Sequence, residues 1–212
     1  MSYSNLIRLG GLAAMVGGAL FLVGSFVYLV RHTFLYYLGF LAVALLLVSV
    51  GMVGFHAMQR HSYVRSMGRA GFWSVVVGSL MVVLGGAVFF TLGEAGDFLQ
   101  ATPPLVWVVL GLSGLVVGFV GLVVGYPLYG VATLQAKVLP RWCGVAFVAA
   151  LPAGLALSVL WILLAFVASY EPFLSFSGVS TFMVFGLAWL ALGYALWARR
   201  EAPTVQQSRR VR

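Results

Sequence analysis

The sequence predicts an all-α fold, a six-transmembrane-helix bundle with glycine-rich helix interfaces. Three observations predict it. The 212-residue chain is 63% hydrophobic and only 8% charged, whereas a soluble domain carries about 25% charged residues. Its apolar residues gather into six long runs, each near the ~20 residues that a helix needs to cross a bilayer. Glycines recur inside those runs at helical spacing rather than at turns. In lipid the backbone must satisfy its own hydrogen bonds, so the runs are helices. The polar–apolar alternation of a transmembrane barrel strand is absent from them.

The first run is 7–30. Its apolar part, Leu9 to Val30, is longer than a signal core of about 7–15 residues and precedes no small-x-small cleavage site, so it reads as a retained span. The second, 34–57, ends against the polar stretch His56-Ala57-Met58-Gln59-Arg60. The third, 70–92, finishes before Glu94 and Asp97. The fourth, 104–127, carries Pro127 as a kink, and Leu139-Pro140 stops its helix. The fifth, 142–169, follows Leu139-Pro140 and carries Pro152 as a kink. The sixth, 173–198, follows Glu171-Pro172, where an acid suits a helix start. Residues 1–198 read as one polytopic domain. The basic tail 199–212 has no apolar periodicity and is expected to be disordered.

Charge fixes the expected orientation. With six spans, Arg8, Arg60, Arg65, Arg69, Lys137, Arg141 and the five arginines of the tail fall on one side. Arg31, Glu94, Asp97 and Glu171 fall on the other. Eleven of twelve basic residues therefore share a face, and the positive-inside rule makes that face cytoplasmic, with both termini inside. The chain is expected to be a multi-pass protein of a cell membrane. The net charge of +8 is explained by topology and calls for no nucleic-acid partner. Its natural partners are anionic lipid headgroups, with Arg60, Arg65, Arg69, Lys137 and Arg141 as the contacts. Aromatics mark the two interfaces: Tyr28, Tyr36, Tyr37 and Trp107 outside, and Trp73, Tyr126, Tyr129, Trp142 and Trp197 inside.

The fourth run contains GLSGLVVGFVGLVVG. Gly111, Gly114, Gly118, Gly121 and Gly125 are spaced 3, 4, 3, 4, which lays them on one stripe of a helix. Gly10, Gly17 and Gly24 lie seven apart in the first run, Gly71, Gly78 and Gly85 in the third, and Gly186 and Gly193 in the sixth. Helices in lipid lack a hydrophobic drive to associate, so small residues that admit a neighbouring backbone are expected at their contacts. The stripe needs a neighbour, either within the chain or on a second copy or another membrane protein. The starts of runs one and three also align: Arg8-x-Gly10, Gly17-Gly18, Gly24-Ser25 beside Arg69-x-Gly71, Gly78-Ser79, Gly85-Gly86. This reads as pseudo-repeated helical hairpins, three in all, each starting and ending inside.

Candidate chemistry is sparse. Gly111-Leu112-Ser113-Gly114 resembles the G-x-S-G of rhomboid proteases, which also carry their serine on a fourth helix. That family's base is a histidine on the last helix, and the histidines here are His32, His56 and His61. A serine without a base is a weak nucleophile, so Ser113 is expected to bond back to its own helix and no catalytic residue is assigned. The three histidines and lone Cys143 form no ligand set, so no metal or cofactor is expected, and a single cysteine excludes an intramolecular disulfide. No Asp, Glu, Lys or Arg lies deep in any run, which argues against ion-coupled transport. The inner ends of runs two and four supply a candidate polar cluster, His56, Gln59, Tyr126 and Gln135, which would mark a site if it surrounded a cavity open to the cytoplasm.

The segment Gly130–Gly144 (GVATLQAKVLPRWCG) and the ending GLAWLALGYALWARR (186–200) resemble a family of six-helix bacterial integral membrane proteins with no assigned reaction. That resemblance implies a bacterial inner-membrane bundle and no activity. The sequence leads first to a non-enzymatic membrane protein acting through helix–helix contacts with itself or a partner. A transporter or channel for a neutral or lipidic molecule is the alternative, and a lipid-active enzyme the third reading. The orientation is tested by cysteine labelling. A membrane-impermeant reagent applied from outside should reach Ala95→Cys and spare Ser66→Cys; the reverse pattern would overturn it.

Overall fold

A computed structural model of the chain describes residues 3–31, 34–59, 65–99, 105–137, 139–168 and 172–198. These form six helices: α1 (Tyr3–Arg31), α2 (Phe34–Gln59), α3 (Arg65–Leu99), α4 (Leu105–Ala136), α5 (Arg141–Ala168) and α6 (Pro172–Ala198). Among the described residues there is no strand. All six helices contain a span long and apolar enough to cross a membrane, and the chain is a multi-pass membrane protein. The tail 199–212 and residues Arg60, His61 and His32 lie outside the described residues.

Five of the six helices run longer than the apolar runs that announce them, and α5 matches its run in length. α3 gains most, extending past its run at both ends to 35 residues; the largest shift of a single end is in α4, which passes through Pro127 and continues to Ala136. Proline costs one turn its hydrogen bond and does not end a helix whose next residues pack on neighbours. Lys137 ends it, with φ 52°, the left-handed conformation that terminates many helices. Leu139 and Pro140 complete the turn, and the amide of Cys143 donates to the Pro140 carbonyl at 3.0 Å as α5 begins.

The six helices stand in a ring, each against the next in chain order, with α6 closing on α1. Glycine sets the approach at most of these contacts. The α4 stripe meets α3 of the same chain. A Cβ on Gly118 would lie 2.7 Å from the Gly78 carbonyl oxygen and the Val82 amide nitrogen, and one on Gly125 would lie 2.9 Å from the Val75 amide. Gly111 likewise abuts Phe89, Gly114 abuts Gly85 and Gly121 abuts Ser74. The α3 glycines reciprocate: Gly71, Gly78 and Gly85 face Tyr129, Gly118 and Leu115. In α1 the glycines at positions 10, 17 and 24 face α2, whereas their neighbours Gly11 and Gly18 face Gly193 and Gly186 of α6. Adjacent residues point about 100° apart on a helix of 3.6 residues per turn, so a glycine pair seats two neighbours at once. At the basic end Gly130 meets Gly144 and joins α4 to α5. Between α5 and α6, Gly154 abuts Thr181, and Ser158 bonds both Ser180 and Thr181 at 2.8 Å.

Inside the ring lies an aromatic centre. Phe21, Phe55, Tyr126, Phe147, Phe185 and Trp189 come from α1, α2, α4, α5 and α6 and are all nearly inaccessible. Phe147 and Trp189 pack edge to face at 5.5 Å, and Phe55 reaches Phe147 at 5.2 Å across the ring. Tyr126 and Tyr129 belong to this core, 1% and 0% exposed, and not to the inner aromatic belt expected of them. Gly125 faces α3, and the next residue on the helix turns inward instead of towards lipid. Trp73 and Trp142, by contrast, are exposed as an interface belt requires. The glycine contacts are tested by thermal unfolding in detergent. Gly118→Ala should lower the melting temperature, and Gly118→Leu should cost more, ~1–3 kcal/mol. Gly39→Ala, where no atom lies within 4 Å, should leave stability unchanged or raise it; equal stability of the 39 and 118 variants would contradict the packing.

Candidate functional site

The four residues of the polar cluster take different surroundings. His56 is half-buried and stacks on Phe72 of α3, with ring centroids 4.4 Å apart. Gln59, one turn on, is buried and donates from Nε2 to Thr133 Oγ1 at 2.7 Å. Thr133 in turn donates to the Tyr129 carbonyl at 2.8 Å. These contacts pin the end of α2 to α3 and α4. Tyr126 sits in the aromatic centre, and Gln135 is exposed. Ser113 is exposed, and its hydroxyl donates to the Leu110 carbonyl at 3.0 Å, the self-bonding expected of a serine in an apolar helix. Of the expected headgroup contacts, Arg69, Lys137 and Arg141 are exposed at the same end of the bundle as Arg8; Arg65 opens α3.

The seam between α2 and α3 differs from its counterparts. Between α1 and α6, Gly11 and Gly18 bring the backbones together. In the aligned register of α3 the residues at those places are Phe72 and Ser79. Phe72 carries a full ring against His56 and holds α2 away from α3. Further along, towards the end opposite the basic residues, the two helices part around a cleft of about 240 Å³. Gly39 and Ala42 line it from α2, and Val83, Gly86, Ala87 and Phe90 from α3. Its walls are almost entirely apolar. Gly39 and Ala87 are exposed, so the cleft opens on the flank of the bundle.

Small residues do opposite work here and in the other seams. Elsewhere a missing side chain admits a neighbouring backbone. At Gly39 nothing lies within 4 Å, and Gly86 meets only a methyl of Leu115 at 3.6 Å. The space that their side chains would fill is left open. An apolar cavity of about 150 Å³ stays dry and takes benzene, so this cleft has room for an apolar group larger than that.

No protein-family model matches the chain, and no curated protein or solved structure matches it. Function therefore has to be argued from the site. Tyr126 is the one member of the polar cluster that touches a described cavity, a small apolar pocket of about 50 Å³ beside the aromatic centre. The cleft itself was not read from the sequence. Its signal is there in Gly39, Ala42, Gly86 and Ala87, four small residues outside the heptad stripes or at their far end. The Gln59–Thr133 bond is tested by a double-mutant cycle with Gln59→Leu and Thr133→Val. Hydrogen bonds between helices in a membrane couple by ~0.6 kcal/mol on average and up to ~1.7, and this buried pair should fall in the upper part of that range. Additive effects would show that it carries no coupling.

Proposed function

We propose that this membrane protein binds a neutral, apolar molecule taken sideways from the bilayer into the α2–α3 cleft. The observation that carries the reading is the open, apolar space at that seam, lined by glycine and alanine on both sides. A ligand site is ordinarily a concave, mostly apolar space, and this one opens where lipid is the solvent. No charge lines it, which fits a molecule that carries none. The reading takes up the lipidic alternative of the sequence analysis. Action through helix contacts with a second copy or a partner loses its main support, because the α4 stripe is spent on α3.

On the same reading the basic end faces the cytoplasm, where Arg69, Lys137 and Arg141 meet anionic headgroups, and the cleft serves the outer half of the membrane. The test is photo-crosslinking in phosphatidylcholine vesicles doped with a phospholipid whose acyl chain bears a diazirine. Adducts should concentrate on residues 38–45 and 82–90 over the other lipid-facing surfaces. Gly39→Leu combined with Ala87→Leu should abolish that excess while leaving the melting temperature near that of the parent. Labelling spread evenly over all six helices would sink the proposal.

A further inference from the structure

The cleft and the small deep pocket share three side chains, Leu41, Leu45 and Val82. Each of the three faces the outer space on one side and the inner space on the other. The pocket beyond them exposes only apolar surface and is bounded by Phe119, Leu122 and Tyr126 of α4, Leu151 of α5 and Thr181, Phe182 and Phe185 of α6. Its floor is the edge-to-face pair Tyr126–Phe185, with centroids 4.9 Å apart. The three side chains common to both linings are aliphatic, so a rotamer change at these positions would join the two spaces into one track with a constriction.

The track has a defined length. It runs along α4 from Leu115 in the cleft to Tyr126 at the floor. Eleven residues at 1.5 Å rise span about 16 Å, and half of a ~30 Å hydrocarbon core is about 15 Å. The mouth at Gly39 and Phe90 lies further out than Leu115, so a chain at least as long as one leaflet is deep fits between the mouth and the aromatic floor. Of the lining residues only Thr181 and Tyr126 carry hydroxyls, and neither exposes polar surface to the pocket, so a head would remain at the interface beyond Gly39 and Phe90.

Resting on the cleft as a binding site, we infer that its ligand is a single lipid hydrocarbon chain inserted end-on, with the terminal methyl passing Leu41, Leu45 and Val82 to stop against Tyr126 and Phe185. The site reads the length and slenderness of the chain and ignores the head. Leu41, which is half-buried and touches both spaces, is the residue whose size sets passage.

Two phosphatidylcholine probes separate this inference from the reading beneath it, one with the diazirine at mid-chain and one with it at the terminal carbon, each a trace component of phosphatidylcholine vesicles. The mid-chain probe should label residues 38–42 and 83–90. The terminal probe should shift its adducts to 119–126, 151 and 182–185. Leu41→Trp should remove the deep adducts and keep the shallow ones. If both probes label only the cleft, the end-on track is overturned and the cleft reading stands. If neither exceeds the labelling of the remaining helices, the cleft reading itself fails and takes the inference with it.

Discussion

The fold depends on backbone contact between helices. A helix in lipid gains nothing by hiding apolar surface from an equally apolar solvent, so dispersion between closely approached backbones has to hold the bundle. Gly118 against Gly78, Gly10 against Gly54 and Gly18 against Gly186 are among the close approaches, and a methyl at any of them would lie within 3 Å of another backbone. Heptad spacing makes these points recur along the α1–α2, α1–α6 and α3–α4 seams. The ring follows from the doubled glycines of α1, which turn one helix into a bridge between α2 and α6.

Against that background the α2–α3 seam is the exception. Phe72 replaces the glycine that would close it, and the stack on His56 with the Gln59–Thr133 bond fixes the basic end. The opposite end is left with small side chains facing a gap. A wedge at one end and empty positions at the other give a cleft with a fixed hinge side and an open side. The same chemical device, a residue with little or no side chain, thus makes both the tight seams and the open cleft. What separates the two outcomes is whether a bulky neighbour in the same seam holds the backbones apart.

Much of the fold was legible because it is periodic. The heptads 10–17–24, 71–78–85 and 111–118–125 named the helices that must meet something, and Leu139-Pro140 marked the α4–α5 turn. Partner choice was not legible, since a stripe specifies a face and not its neighbour. The depth of Tyr126 and Tyr129 was also missed. Their place near a helix end suggested a belt, yet their direction relative to Gly125 put them inside. The inner polar cluster was read from position along the chain, but His56 and Gln59 face α3 and α4 while Gln135 faces outward. The cleft escaped notice because its four small residues carry no chemistry of their own. Their meaning lies in what is absent around them.

The most direct measurement is an electron-density map of the protein crystallised from a lipid mesophase. The account predicts an elongated feature between α2 and α3, running from Gly39 and Phe90 past Leu41 towards Tyr126, with backbones in direct contact at the α1–α6 and α3–α4 seams. A map in which α2 and α3 close as tightly as α1 and α6, with no density between them, would contradict it.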